Sequence, residues 1–137
     1  MQSDTKNVLK KLRGLNEVTL SQRAIPSIGE IEHFQTQYNI VLPSEYKKFL
    51  LECSNVIYST LQPGLILPLG AYYSLDTIVN NGWNMGVAKD NISFCEDNGD
   101  FYCFNKNGEL EYWGHAGYSH EKWNSFAHWV GSVWLSG

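Results

Sequence analysis

Ile28-Gly29-Glu30-Ile31-Glu32-His33-Phe34-Gln35-Thr36-Gln37-Tyr38-Asn39-Ile40-Val41-Leu42-Pro43-Ser44-Glu45-Tyr46-Lys47-Lys48-Phe49-Leu50 reads as two helices separated by a break that closes on Leu-Pro. Ser27 with Glu30 forms a capping box: the serine oxygen accepts from the Glu30 backbone N–H while the carboxylate reaches back. Ile31, Phe34 and Tyr38 then recur at helical spacing and line one stripe. Pro43 suits a first helical position, where its missing N–H costs nothing. Glu45 follows in the first turn, where a carboxylate complements the helix dipole. Tyr46, Phe49, Leu50 and Cys53 sit at i, i+3, i+4 and i+7, and Leu51 adds an apolar side chain on the far side. The spacing therefore predicts a central helix covered on more than one side.

Outward from this pair, the rest of the chain shows no linker, repeat or composition break, so its 137 residues read as one domain. Such a length buries roughly two-thirds of its unfolded surface and needs no disulfide or metal staple. The chain is 43% apolar and 14% aromatic, ample for a core. Its cysteines (Cys53, Cys95, Cys103) are odd in number and form no CxxC pair, which fits free thiols in a reducing compartment. Met1 to Leu15 lacks the apolar centre of a signal peptide, and no run approaches the roughly 20 apolar residues of a membrane span. The expectation is a cytoplasmic protein with no membrane contact. Val8, Leu9, Leu12 and Leu15 suggest that residues 1–24 form a helical extension packed on a body comprising residues 25–137.

The net charge of −4 is uneven: residues 1–50 carry seven basic and five acidic groups, residues 51–137 three and nine. An acidic second half argues against nucleic acid, whose phosphates call for clustered Lys and Arg. It suits a basic protein partner, or simply solubility.

Val56-Ile57-Tyr58 reads as an extended exit from the second helix, Gln62-Pro63-Gly64 as a turn, and Leu65-Ile66-Leu67 as a short strand stopped by Pro68. Ser74 is placed to cap a brief helix carrying Leu75, Ile78 and Val79 and ended by Asn80-Asn81-Gly82. Beyond Asn91 the pattern becomes a meander. Ile92-Ser93-Phe94-Cys95 and Phe101-Tyr102-Cys103-Phe104 flank a turn at Asp97-Asn98-Gly99-Asp100. After Asn105-Lys106-Asn107-Gly108, the run Glu109-Leu110-Glu111-Tyr112-Trp113 places Leu110 and Tyr112 on one face and Glu109, Glu111 and Trp113 on the other. A last helix from about His120 would carry Trp123, Phe126, Ala127, Val130, Val133 and Trp134 as its stripe. Trp129, about 100° from that stripe on a 3.6-residue period, either packs on the N-terminal helix or faces a partner. Helices, then strands, then a helix make an α+β domain: an antiparallel meander packed with N-terminal helices and a C-terminal helix.

This order resembles the SUKH superfamily, the Smi/Knr-type fold. The resemblance rests on Leu42-Pro43-Ser44-Glu45-Tyr46-Lys47-Lys48-Phe49-Leu50, Leu67-Pro68, Ser74-Leu75-Asp76-Thr77-Ile78, Ile92-Ser93-Phe94, Asn98-Gly99-Asp100-Phe101-Tyr102-Cys103-Phe104, and Ser125-Phe126 with Val130, over about residues 25–135. Where members commonly end the second helix in Asn-Gly-Gly, this chain has Ser54-Asn55-Val56. The resemblance implies a non-enzymatic immunity protein that binds a toxin, often a nuclease, encoded beside it. The alternative it implies is an intracellular regulatory interaction scaffold.

The residues offer one candidate partner surface. Glu96, Asp97 and Asp100 surround a turn, and Glu109 and Glu111 lie on the next strand beside Trp113. Carboxylates beside an aromatic suit a basic partner, charge steering the encounter and the ring supplying an anchor. A catalytic reading finds little support. His33, His115, His120 and His128 show no zinc-site spacing, and Gly82-x-x-x-Gly86 lacks the Lys-Ser/Thr of a phosphate loop. No Ser-His-Asp elbow appears, and Cys53 and Cys103 read as small buried hydrophobes. The expectation is no enzyme activity, no cofactor and no metal, in a monomer or weak dimer.

Overall fold

The structure, a computed structural model, describes residues 7–11, 19–20, 25–54, 56–57, 61–66 and 74–135. A helical turn over residues 7–11 (α1) places Leu9 in the core, 2% exposed. Ile28–Tyr38 (α2) starts on the capping box: Glu30 N donates to Ser27 Oγ at 3.1 Å and Ser27 N to Glu30 Oε1 at 2.9 Å. It ends at Asn39, whose left-handed φ of 54° turns the chain toward the next helix.

Ser44–Cys53 (α3) begins one residue later than expected. Pro43 is the N-cap, with an extended ψ of 146°. The expected core face holds throughout: Tyr46, Phe49, Leu50 and Cys53 are fully buried, and Leu51 is half-buried against the same core. At the C-terminus the Ser54 hydroxyl donates to the Leu50 carbonyl at 2.6 Å. Val56–Ile57 (β2) pairs antiparallel with Thr19–Leu20 (β1). Of the Leu65-Ile66-Leu67 expectation, Leu65 forms an isolated bridge with Ser74, while Leu67 and Pro68 lie outside the described residues, as does Tyr58.

Leu75–Met85 (α4) runs past Asn80-Asn81-Gly82, where the sequence pattern placed its end. Its stop is Gly86, at φ 130°. Gly82 serves close packing instead. A Cβ there would overlap the Ser93 hydroxyl and stand 2.7 Å from Ser93 Cβ. Gly82→Ala is therefore expected to destabilise by about 1–3 kcal/mol, despite the roughly 1 kcal/mol that alanine gains in helix propensity. Urea titration checks this, and adding Ser93→Gly should recover part of the loss.

Ile92–Asp97 (β3), Asp100–Phe104 (β4), Leu110–Gly114 (β5) and Gly117–Trp123 (β6) form the antiparallel meander, in the order β3-β4-β5-β6. Phe101 lies opposite Trp113 and Cys103 opposite Glu111; Tyr102 faces Tyr112 and Phe104 faces Leu110. Side chains alternate, so the sheet has two distinct faces. One carries Phe101, Cys103, Glu111 and Trp113 beneath α4, where Ile78 and Val87 complete a small cluster. The other carries Phe94, Tyr102, Phe104 and Leu110 against α3 and the C-terminal helix. At its centre Tyr46 meets Phe94, Phe104 and Phe126 with ring centres 5.2–5.5 Å apart, and its hydroxyl donates to Gly64 O at 2.5 Å.

The C-terminal region corrects one expectation. His120 and Trp123 belong to β6, not to a helix. That strand lies at the sheet edge and is largely exposed, so it lacks the apolar alternation that marks a strand in sequence. A register shift opposite Glu111/Trp113 and a left-handed His120 (φ 70°) break the pattern further. The helix begins at Phe126 (α5, Phe126–Trp129), where Ser125 Oγ accepts from His128 N, and it widens into a π turn over Val130–Trp134. Leu135 N donates to Val130 O at 2.8 Å, the i→i+5 spacing. Widening the turn changes the phase of the stripe. Trp129, off the stripe on a 3.6-residue period, is fully buried against Phe94, Tyr102 and Phe126.

Candidate functional site: an acidic sheet tip

The β3–β4 turn carries Asn98 (φ 52°) and Gly99 (φ 90°), the two left-handed positions of a tight hairpin. That geometry sets Asp97 directly opposite Asp100. Like charges so placed repel. Two neighbours relieve them. The Tyr112 hydroxyl lies 3.0 Å from Asp100 Oδ2 and 3.3 Å from Asp97 Oδ2, and His115 Nδ1 lies 3.2 Å from Asp100 Oδ1. Burial, then its bond to Asp100 and the nearby Asp97 charge, push the Tyr112 phenol well above its ordinary value, so it stays a donor. Gly114 lies beside the Asp100 carboxylate, which an added Cβ would meet at 3.4 Å, an ordinary contact. Glu96 stands exposed at the end of β3, opposite Phe101. Behind the tip, Cys95, Phe101 and Tyr102 are buried, so the carboxylates rest on a firm base.

Glu109, Glu111 and Trp113 form a separate group. Glu109 Oε1 accepts from Asn105 Nδ2 at 3.2 Å and from Lys122 Nζ at 3.3 Å. Glu111 is half-buried and bonded at both oxygens. Oε1 accepts from Asn91 Nδ2 at 2.9 Å and Trp113 Nε1 at 3.0 Å, and Oε2 from Asn105 Nδ2 at 3.0 Å. Burial raises its pKa, but the Asn105, Trp113 and Asn91 donors, with Lys122 nearby, outweigh burial and hold the carboxyl below its ordinary value. Trp113 is half-buried on the α4 face and stacks on Tyr118 at 5.8 Å.

The six residues singled out by sequence thus divide. Glu96, Asp97 and Asp100 come together at the tip. Glu109, Glu111 and Trp113 meet farther along the strands, linked by Asn105 and the indole. Tyr112 and His115 were missed as tip residues. Their signal was present: the Asn98-Gly99 turn sets the register that brings β5 alongside the two aspartates.

The histidines lie apart in the chain and are exposed: His33 on α2, His115 in the β5–β6 turn, His120 on β6 and His128 on α5. Among the described residues no group of three His, Cys, Asp or Glu is placed to hold a metal ion. All three cysteines are buried; burial raises the Cys95 thiol strongly and the Cys103 thiol to about 12, which makes both poor nucleophiles. No helix among the described residues is long and apolar enough to cross a membrane.

Comparison with known proteins places this geometry in a family. No curated protein matches the chain. A crystal structure of a protein from Pseudomonas syringae pv. tomato superposes with a TM-score of 0.87 at 29% identity, covering 96% of this chain and 99% of that one. The SUKH_5 family model, described as SMI1-KNR4 cell-wall, matches residues 5–135, which is nearly the whole chain. The four-stranded meander between helices, built on the Leu42-Pro43 helix pair, therefore belongs to the SMI1-KNR4 (SUKH) family.

Proposed function

We propose that this protein is an immunity factor that neutralises a toxin's effector domain by binding a basic face of it through the acidic tip. The observation that carries the reading is the Asp97–Asp100 pair, set opposite each other by the hairpin and held by Tyr112 and His115 beside the exposed Glu96. Preorganised carboxylates of one sign steer a basic partner and lose little freedom on binding. Trp113, paired with Phe101 next to Asp100, flanks the contact, and Glu111 positions its indole. No catalytic step is assigned. The protein works in the cytoplasm as a monomer or weak dimer, with the turn over residues 7–11 docked on the body through Leu9.

The test is co-expression with the product of the adjacent gene, scoring growth rescue and co-purification. Glu96→Lys with Asp100→Lys is expected to slow association with that product by about tenfold or more at low salt, and by less at high salt. An unchanged rate in a variant with wild-type circular dichroism rejects the tip as the binding surface. The cell-wall description of the family model favours a second reading, a regulatory scaffold that binds a cellular protein. A locus with no neighbouring toxin gene, together with failure of rescue, selects that reading.

A further inference from the structure

At the end of the sheet opposite the acidic tip lies a groove of about 680 Å³ between the α2–α3 connection and the β4–β5 turn. Leu42, Ile92 and Phe104 form part of its apolar wall, and Lys47, Lys89 and Lys106 line it, with Asp90 as an opposing charge. Lys89 is held over the Trp83 ring, 4.9 Å from its centre. Ser44 and Lys47 also line a second, smaller groove of about 310 Å³ between α2 and α3, where Ile28, Ile31 and Leu51 supply apolar surface and Lys48 a further cation beside Glu32. The two grooves therefore adjoin at Ser44 and Lys47.

Two features set this surface apart among the described residues. Val41 and Ile28, 78% and 62% exposed, are the two most exposed large hydrophobic residues among those described, and one lines each groove. The lysines are also available. Among the described residues the basic side chains within reach of a carboxylate are His115 (beside Asp100) and Lys122 (beside Glu109), so Lys47, Lys48 and Lys106 have no carboxylate partner there. Bulky apolar side chains left in water beside unpaired cations mark an interaction site with a defined complement.

We propose that these adjoining grooves bind an acidic segment of a partner protein, one that carries carboxylates next to a bulky apolar side chain. The apolar side chain covers Val41 or Ile28 while the carboxylates meet Lys47, Lys48 and Lys106. Nucleic acid fits less well. Four lysines on a chain of net charge −4 make a weak phosphate surface, and exposed aliphatic side chains offer phosphate nothing. The protein is thus bipolar along its strands, with an acidic tip for one partner and a basic, apolar-edged groove for another. The groove stands whether or not the tip binds a toxin.

The test is selection of a random peptide phage library on the immobilised full chain, followed by fluorescence anisotropy with the most enriched acidic peptide. Enriched peptides are expected to combine Glu or Asp with Leu, Ile, Phe or Trp. Lys47→Glu with Lys106→Glu should weaken binding by at least about tenfold. Val41→Ser should also weaken it, while Glu96→Gln leaves it within about twofold, as expected for a distant independent site. Changing the peptide's carboxylates to amides should abolish binding. Absence of acidic peptides from the enriched set overturns the proposal, as does undiminished binding of the enriched acidic peptide to a folded Lys47→Glu/Lys106→Glu protein; basic peptides, if enriched too, belong to the tip. Equal competition by a short DNA duplex overturns it too, by showing a surface that takes any polyanion.

Discussion

Tyr46→Ala is expected to lower stability by about 4 kcal/mol, the scale for truncating a large buried aromatic. Tyr46 is fully buried at the junction of four rings, with Phe49, Phe94, Phe104 and Phe126 centred 5.2–5.5 Å away. Removing it opens a cavity between α3, the sheet and α5. It also strips the Gly64 carbonyl of the hydroxyl that donates to it. Burial pushes the Tyr46 phenol well above its ordinary value, so it remains a donor throughout the working pH range. Tyr46→Phe separates the two contributions: it keeps the ring, loses the hydrogen bond and should cost about 1–2 kcal/mol. Urea denaturation of both variants is the measurement. A Tyr46→Ala midpoint equivalent to less than about 1 kcal/mol of loss would show that this junction does not hold the domain together.

Glu111→Ala is expected to cost about 2–3 kcal/mol at neutral pH, because three donors from Asn91, Asn105 and Trp113 lose their acceptor at once. Glu111→Gln is the sharper probe. Each carboxylate oxygen accepts, so whichever way the amide turns its nitrogen faces a donor. The sign of the pH effect follows from the lowered carboxyl. A group whose folded pKa lies below its unfolded value contributes stability above the unfolded pKa and loses it as pH falls through the folded one. Wild-type stability should therefore decline from about pH 4.5 downward, and Glu111→Gln should show a shallower decline over that window. Identical acid limbs in the two proteins would remove Glu111 as a contributor. The prediction also guides the interface experiment, since a charge reversal at Glu111 would disturb the sheet and blur any binding defect.

Much of this architecture was legible in the residues because it is written in local chemistry. The capping box at Ser27 and Glu30 needs only residues three apart, and the Tyr46–Cys53 face needs only a 3.6-residue period. The Asn98-Gly99 turn selects its own hairpin and thereby pairs Asp97 with Asp100. Where local signals misled, a distant contact had overruled them. Asn80-Asn81-Gly82 looks like a helix stop until Ser93 is seen pressed against Gly82. His120 to Trp123 looks helical when taken with the stripe that follows, yet pairing with β5 makes it an edge strand.

For the candidate surfaces the division is similar. That carboxylates would gather near the β3–β4 turn could be read from the chain, since a tight turn constrains its own neighbours. Which carboxylates are held inside the sheet, and which stand at its tip, depended on partners up to 20 residues away, as with Asn91 and Glu111. The basic groove joins residues from α2 to the β4–β5 turn, and no period or motif connects them. By itself the sequence determined the α+β order, the core faces of the helices and the tip hairpin, because propensity, capping and turn chemistry act over a few residues. Only the tertiary structure decided the length of α4, the edge strand β6, the burial of Trp129 and the separation of acidic and basic ends. Those depend on which surfaces exclude water from one another once the chain has closed.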